Sequence, residues 1–81
     1  MEVNLTQSLY LQFLTIQKYN LQYRLMQNNM AMMSALRNPM SYSQAYALDK
    51  VLSLDNANIR TQLLMIEAQE EATKKKLNLI G

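Results

Sequence analysis

The chain has 81 residues, with eight Lys and Arg against six Asp and Glu, a formal charge of +2, no Cys, no His, and one each of Gly and Pro. That length suits one small domain. The counts exclude a disulfide framework, a zinc–thiolate site, a thiol nucleophile and an imidazole proton shuttle, and one Gly is too few for a phosphate-cradling loop or the turns of a many-stranded sheet.

Nothing breaks a helix from about Asn4 to Arg37. Asn4, with Gln7 three residues on, is a soft start. Placed at 100° steps, the segment has two apolar stripes. One collects Leu5, Leu9, Phe13, Ile16, Tyr19, Tyr23, Met26, Met30 and Met33. The opposite one collects Leu11, Leu14, Leu21, Leu25, Met32 and Leu36. A narrow polar strip remains around Gln17, Asn20, Gln22 and Arg24. Asn38-Pro39 ends the helix, because a proline crowds the residue before it out of helical geometry.

Ser41-Tyr42-Ser43-Gln44 has the form of a capping box, with Met40 and Ala45 as a weak hydrophobic staple. A second helix is expected from 41 to 78. One heptad-like stripe is Ala45, Leu48, Leu52, Ile59, Leu63, Ile66 and Leu77; a second is Ala47, Val51, Leu54, Met65, Ala68 and Ala72. Asp49, Asn56, Arg60, Glu67 and Lys74 form a polar line. Lys74, Lys75 and Lys76 suit the negative end of the helix dipole, and Glu70–Lys74 and Glu71–Lys75 are favourable i,i+4 pairs. Asp55 and Glu70 fall on the Leu48–Ile66 stripe, where an inward polar residue can set register.

Two helices of about 35 residues, each roughly 50 Å long, joined by three or four residues must run antiparallel or nearly so. The expected fold is all-α: an antiparallel helical hairpin of two long helices, 4–37 and 41–78, in a single domain spanning 1–81. One continuous helix bent at Pro39 is the alternative. A hairpin covers one stripe per helix, and a helix apolar nearly all round is normally buried all round. The chain is therefore expected to associate with other chains. We assign the intrachain seam to Leu9, Phe13, Ile16 and Tyr23 against Leu48, Leu52, Ile59, Leu63 and Ile66. Self-association falls to Leu11, Leu14, Leu21, Leu25, Met32 and Leu36 with Val51, Leu54 and Met65. The pattern leaves open which stripe takes which role.

Polarity rests on neutral amides, eight Gln and eight Asn, which are less costly than charges in a half-buried contact once hydrogen-bonded. Gln7, Gln12, Gln17, Gln22 and Gln27 recur every five residues and so spiral around the helix. Tyr10, Tyr19, Tyr23, Tyr42 and Tyr46 fit packed interfaces with hydroxyls at the rim. The basic residues form no stripe, so no nucleic-acid partner is expected. The charge of Lys74–Lys76 is largely offset by Glu67, Glu70 and Glu71. The carboxylates Asp55, Glu67, Glu70 and Glu71 have no nucleophile and base arranged beside them. No enzyme activity, cofactor or metal is expected. Met1-Glu2-Val3-Asn4 carries no basic segment before an apolar core, and no apolar run approaches the roughly 20 residues of a spanning helix. The chain is expected to lack a cleavable signal and a transmembrane segment, and thus to be cytoplasmic or exported by a signal-independent route. Two-sided apolarity with many amides disfavours a membrane surface.

With its break at Asn38-Pro39, the chain resembles in outline the subunits of the type III secretion needle. These are α-hairpins of about this length with a Pro-containing break near the middle. That family's aromatic-rich N-terminal segment is absent, and Asn58–Ala72 departs from its pattern, so only the position of the break carries over. The resemblance implies hairpins stacked helically into a hollow filament. We therefore read the chain as a non-enzymatic, self-assembling structural protein, subunit of a helical filament or multichain helical bundle, with copies of itself as partner. The alternative is a small adaptor or chaperone, a closed dimer or tetramer that presents the Met-rich tip (Met26, Met30, Met32, Met33, Met40) to a client or scaffold protein.

Overall fold

In the computed structural model the chain is two helices, α1 (Glu2–Arg37) and α2 (Tyr42–Ile80), packed side by side into a rod of 59 × 15 × 13 Å. The structure describes the backbone of residues 2–37 and 41–80, and the side chains of 5–37 and 41–78. The expected break at Asn38-Pro39 and the Met40 staple lie outside the described residues. Both helices outrun the expected bounds by two residues, α1 at its start and α2 at its end.

The second helix starts where its capping chemistry places it. The Gln44 amide donates to Ser41 Oγ at 3.2 Å, and the Ser41 amide donates to Gln44 Oε1 at 3.4 Å. The Ala45 amide closes the first backbone turn onto the Ser41 carbonyl at 3.0 Å. Each donor would otherwise be an unpaired group of the first turn. At the far end the helix continues to Ile80, so Lys74–Lys76 stand before its last turn rather than in it. Lys75 pairs with Glu71 at 3.6 Å, as the i,i+4 spacing predicts. Glu70 does not join Lys74; it turns across the seam to Lys18.

The core is one narrow line between the helices. Leu14, Leu21, Ile59 and Ile66 are buried, and Leu25 and Leu63 pack against them. Along α1, positions 7, 11, 14, 18, 21, 25, 28, 32 and 35 turn inward in an unbroken alternation of four- and three-residue steps, with 8 and 15 half-buried beside them. This is the period that keeps one face of a helix against a partner. On α2 the inward line runs through 45, 48, 52, 56, 59, 63, 66, 70, 73 and 77, with 55 half-buried beside it. Here two four-residue steps follow one another, from 48 to 52 to 56. The extra step rotates the seam locally and brings Asp55 as well as Asn56 toward α1.

The α2 half of the expected seam is in place: Leu48, Leu52, Ile59, Leu63 and Ile66 all face α1. The α1 half is corrected. Leu9, Phe13, Ile16 and Tyr23, expected in the seam, are exposed, whereas Leu11, Leu14, Leu21, Leu25 and Met32, expected to face other chains, fill it. Asn56, placed on the polar line of α2, is likewise inside, at 4% exposure.

Ile59 has no exposed surface and sits at the middle of the core. Ile59→Ala removes three buried carbons from a seam with little else to close the gap. It should destabilise the hairpin by about 2–5 kcal/mol, measured by urea denaturation followed by circular dichroism.

Candidate functional site

Which face of α1 turns outward is decided by polar groups within the seam. Toward the open end of the hairpin, Glu70 is buried on α2 and Lys18 lies opposite on α1. Lys18 Nζ donates to Glu70 Oε1 at 3.0 Å and stands 3.3 Å from Oε2. Thr15 Oγ1 is 3.0 Å from the Leu11 carbonyl and 3.3 Å from Glu70 Oε2, so its single proton can serve either acceptor. Near the middle, Arg24 donates to Asp55 Oδ1 at 2.7 Å. The Asn28 amide nitrogen donates to Asp55 Oδ2 at 2.7 Å and to Asn56 Oδ1 at 2.9 Å. Every α1 member of these two layers is on, or flanks, the Leu11–Leu25 stripe. Turning the opposite stripe inward would leave Glu70 and Asn56 buried without partners, which costs the full desolvation of each group. Bulk hydrophobicity does not separate the two stripes; polar pairing does. The signal was present in the sequence: Asp55 and Glu70 on the inner stripe of α2 require cations and amides opposite, and Lys18, Arg24 and Asn28 offer them on one face only.

The outcome is a large apolar surface facing away from α2. Leu5, Leu9, Phe13, Ile16, Tyr19, Tyr23, Met26, Met30 and Met33 form a stripe along α1, each 49–63% exposed. It runs 29 residues, about 42 Å. A second, sparser face on α2 comprises Val51, Leu54 and Met65 with Ala68 and Ala72, all exposed. Of the residues expected in self-association, Leu36, Val51, Leu54 and Met65 therefore remain available to a partner. At the hairpin tip Leu36 is 88% exposed and borders a small apolar hollow with Met32, Ala35, Ala45 and Leu48. Gln17, Asn20, Arg24 and Gln62 line a polar groove along one flank of the seam.

The accessible surface totals 6366 Å², whereas a compact monomer of this size exposes about 5,000 Å². The excess, roughly 1,300 Å², is larger than the ~800 Å² that one partner contributes to a standard protein interface. Among the described residues no group of three or more Asp, Glu, His or Cys side chains is placed to hold a metal. No helix among them is long and apolar enough to cross a membrane. No protein-family model matches the chain, and no curated protein or solved structure does either.

Two outcomes test the polar layers. Asn28→Leu removes the donor shared by Asp55 and Asn56 and should destabilise the hairpin by about 1–3 kcal/mol, read from denaturant midpoints. Lys18 titrates above its ordinary 10.5, chiefly because its ammonium donates to Glu70; partial burial opposes this, and the negative charges of Glu70 and Glu67 add to it. The folded state thus holds this proton more tightly than the unfolded chain. The stabilisation is complete below 10.5 and is lost as pH rises through the raised value. The melting-temperature gap between the parent chain and Lys18→Met should be constant from neutral pH to the onset of that window and then shrink.

Proposed function

We propose that the chain is a non-enzymatic structural protein that acts by assembling with copies of itself, as a subunit of a multichain helical bundle or filament. The observation that carries this reading is the imbalance of apolar surface. Among the described residues four hydrophobic side chains are buried and seventeen large ones are exposed, so most of the hydrophobic driving force encoded in the chain is unused by a single copy. Soluble monomers rarely expose a contiguous apolar patch beyond about 300–600 Å², and the α1 stripe exceeds that.

The position of the two outer faces favours an extended array. On both helices the outer apolar face lies away from the seam, so the faces occupy opposite long edges of the rod. Covering one edge with a neighbour leaves the other open to a further neighbour, and contacts that do not close generate filaments. The type III needle-like outline of a hairpin broken near its middle agrees with that arrangement. A second reading, an adaptor with a client at its tip, draws on the apolar hollow beside Leu36.

Association should be visible as a weight-average mass that rises with concentration in sedimentation equilibrium, with polymers or discrete bundles in negative-stain micrographs. A folded solitary copy at every concentration would overturn the proposal. Ile16→Asp alters only the outer stripe and should abolish association while helix content and hairpin stability are retained. Leu21→Asp alters the seam and should lose both.

A further inference from the structure

The α1 stripe has an internal symmetry that bears on what covers it. Counting outward from Tyr19, Ile16 and Tyr23 stand three residues before and four after. Phe13 and Met26 stand six before and seven after, and Leu9 and Met30 ten before and eleven after. Leu5 and Met33 stand fourteen before and fourteen after, so the nine apolar positions are palindromic to within one residue although the residues are not. We infer that the stripe is covered by the same stripe of a second copy, the two α1 helices running antiparallel about a twofold axis beside Tyr19. This rests on the self-assembly reading and adds the interface and its symmetry.

Three observations carry it. The first is area: nine large side chains at 49–63% exposure present on the order of 1,000 Å², above the ~800 Å² per partner of a stable interface. The second is charge. Between Leu5 and Leu36 the charged residues of α1 are Lys18 and Arg24, and both are held at Glu70 and Asp55 in the seam. No like charges meet when this face packs on itself, and antiparallel helices bring opposite dipole ends together. The third is volume. Antiparallel pairing sets Phe13 against Met26 and Tyr23 against Ile16, so at these two levels a rigid ring meets a flexible or compact side chain; Leu9 meets Met30, and Tyr19 alone lies beside its own copy at the axis. The Phe13–Met26 pair also allows a favourable sulfur–ring contact. Parallel pairing would stack Phe13, Tyr19 and Tyr23 each on its own copy and leave thioether against thioether from Met26 onward.

The natural lack of Cys makes the test clean. Single-cysteine chains Tyr19→Cys, Leu9→Cys and Met30→Cys are oxidised at a concentration where the parent chain associates, each after circular dichroism has verified its helix content. The expected result is a covalent dimer from Tyr19→Cys alone, no dimer from Leu9→Cys or Met30→Cys alone, and a dimer when those two are mixed. Self-crosslinking of Leu9→Cys would make the pairing parallel and overturn the inference. Association without crosslinking at any of the three positions would also overturn it and leave the self-assembly reading standing. Absence of association in the parent chain would overturn both.

Discussion

The pairing of Glu70 with Lys18, and of Asp55 and Asn56 with Arg24 and Asn28, is the constraint on which the rest of this hairpin depends. Two long helices with apolar residues on opposite sides can be docked in more than one way with similar burial, because a leucine line and a mixed aromatic–methionine line contribute comparable area. Buried carboxylates and amides do not tolerate that freedom. A carboxylate placed at 6% exposure needs a charge or several donors nearby, and the cations Lys18 and Arg24 stand on or beside the inner face of α1. The polar layers thus act as a selector, and the hydrophobic contacts contribute once the selection is made. Buried polar residues in helical bundles play the same part when they fix register at some cost in stability.

Much of the architecture was legible from the chain alone. Helix content, the start of α2 at the Ser41 cap and the inner line of α2 from Leu48 to Ile66 follow from capping chemistry and periodicity. What periodicity does not resolve is the choice between the two stripes of α1. Phe13 and Ile16 are at least as apolar as Leu14 and Leu21, so any count of hydrophobic residues favours neither or the wrong one. Asn56 was missed for a related reason. It sits one residue beyond the regular heptad step, at the place where the spacing of α2 slips, and a fixed period assigns it to the surface. Matching the charges of one helix to the inner line of the other would have settled both.

The two polar layers flank the middle of the rod. One lies on its open-end side and the other on the side of Arg37 and Tyr42, and beyond the latter Met32, Ala35, Ala45 and Leu48 meet as small or flexible groups. Cohesion is thus concentrated over the part of the rod holding Leu14, Leu21, Ile59 and Ile66. Toward the tip, packing relies on methionine and alanine, which fit many neighbours and specify none. Specific pairing in the seam and the permissive packing around Met32 and Ala45 are separated along one axis.

From Leu5 to Met33 the outward side of α1 carries amides, hydroxyls and hydrocarbon, and the chain has no histidine. Over that span it presents no carboxylate or imidazole to take up a proton and no charge for salt to screen; Arg37 stands just beyond it, beside Met30 and Met33. Acidification and ionic strength therefore have little leverage on whatever meets this side. Occupancy is left to supply: how many copies of the chain are present, and how soon after synthesis they find a neighbour.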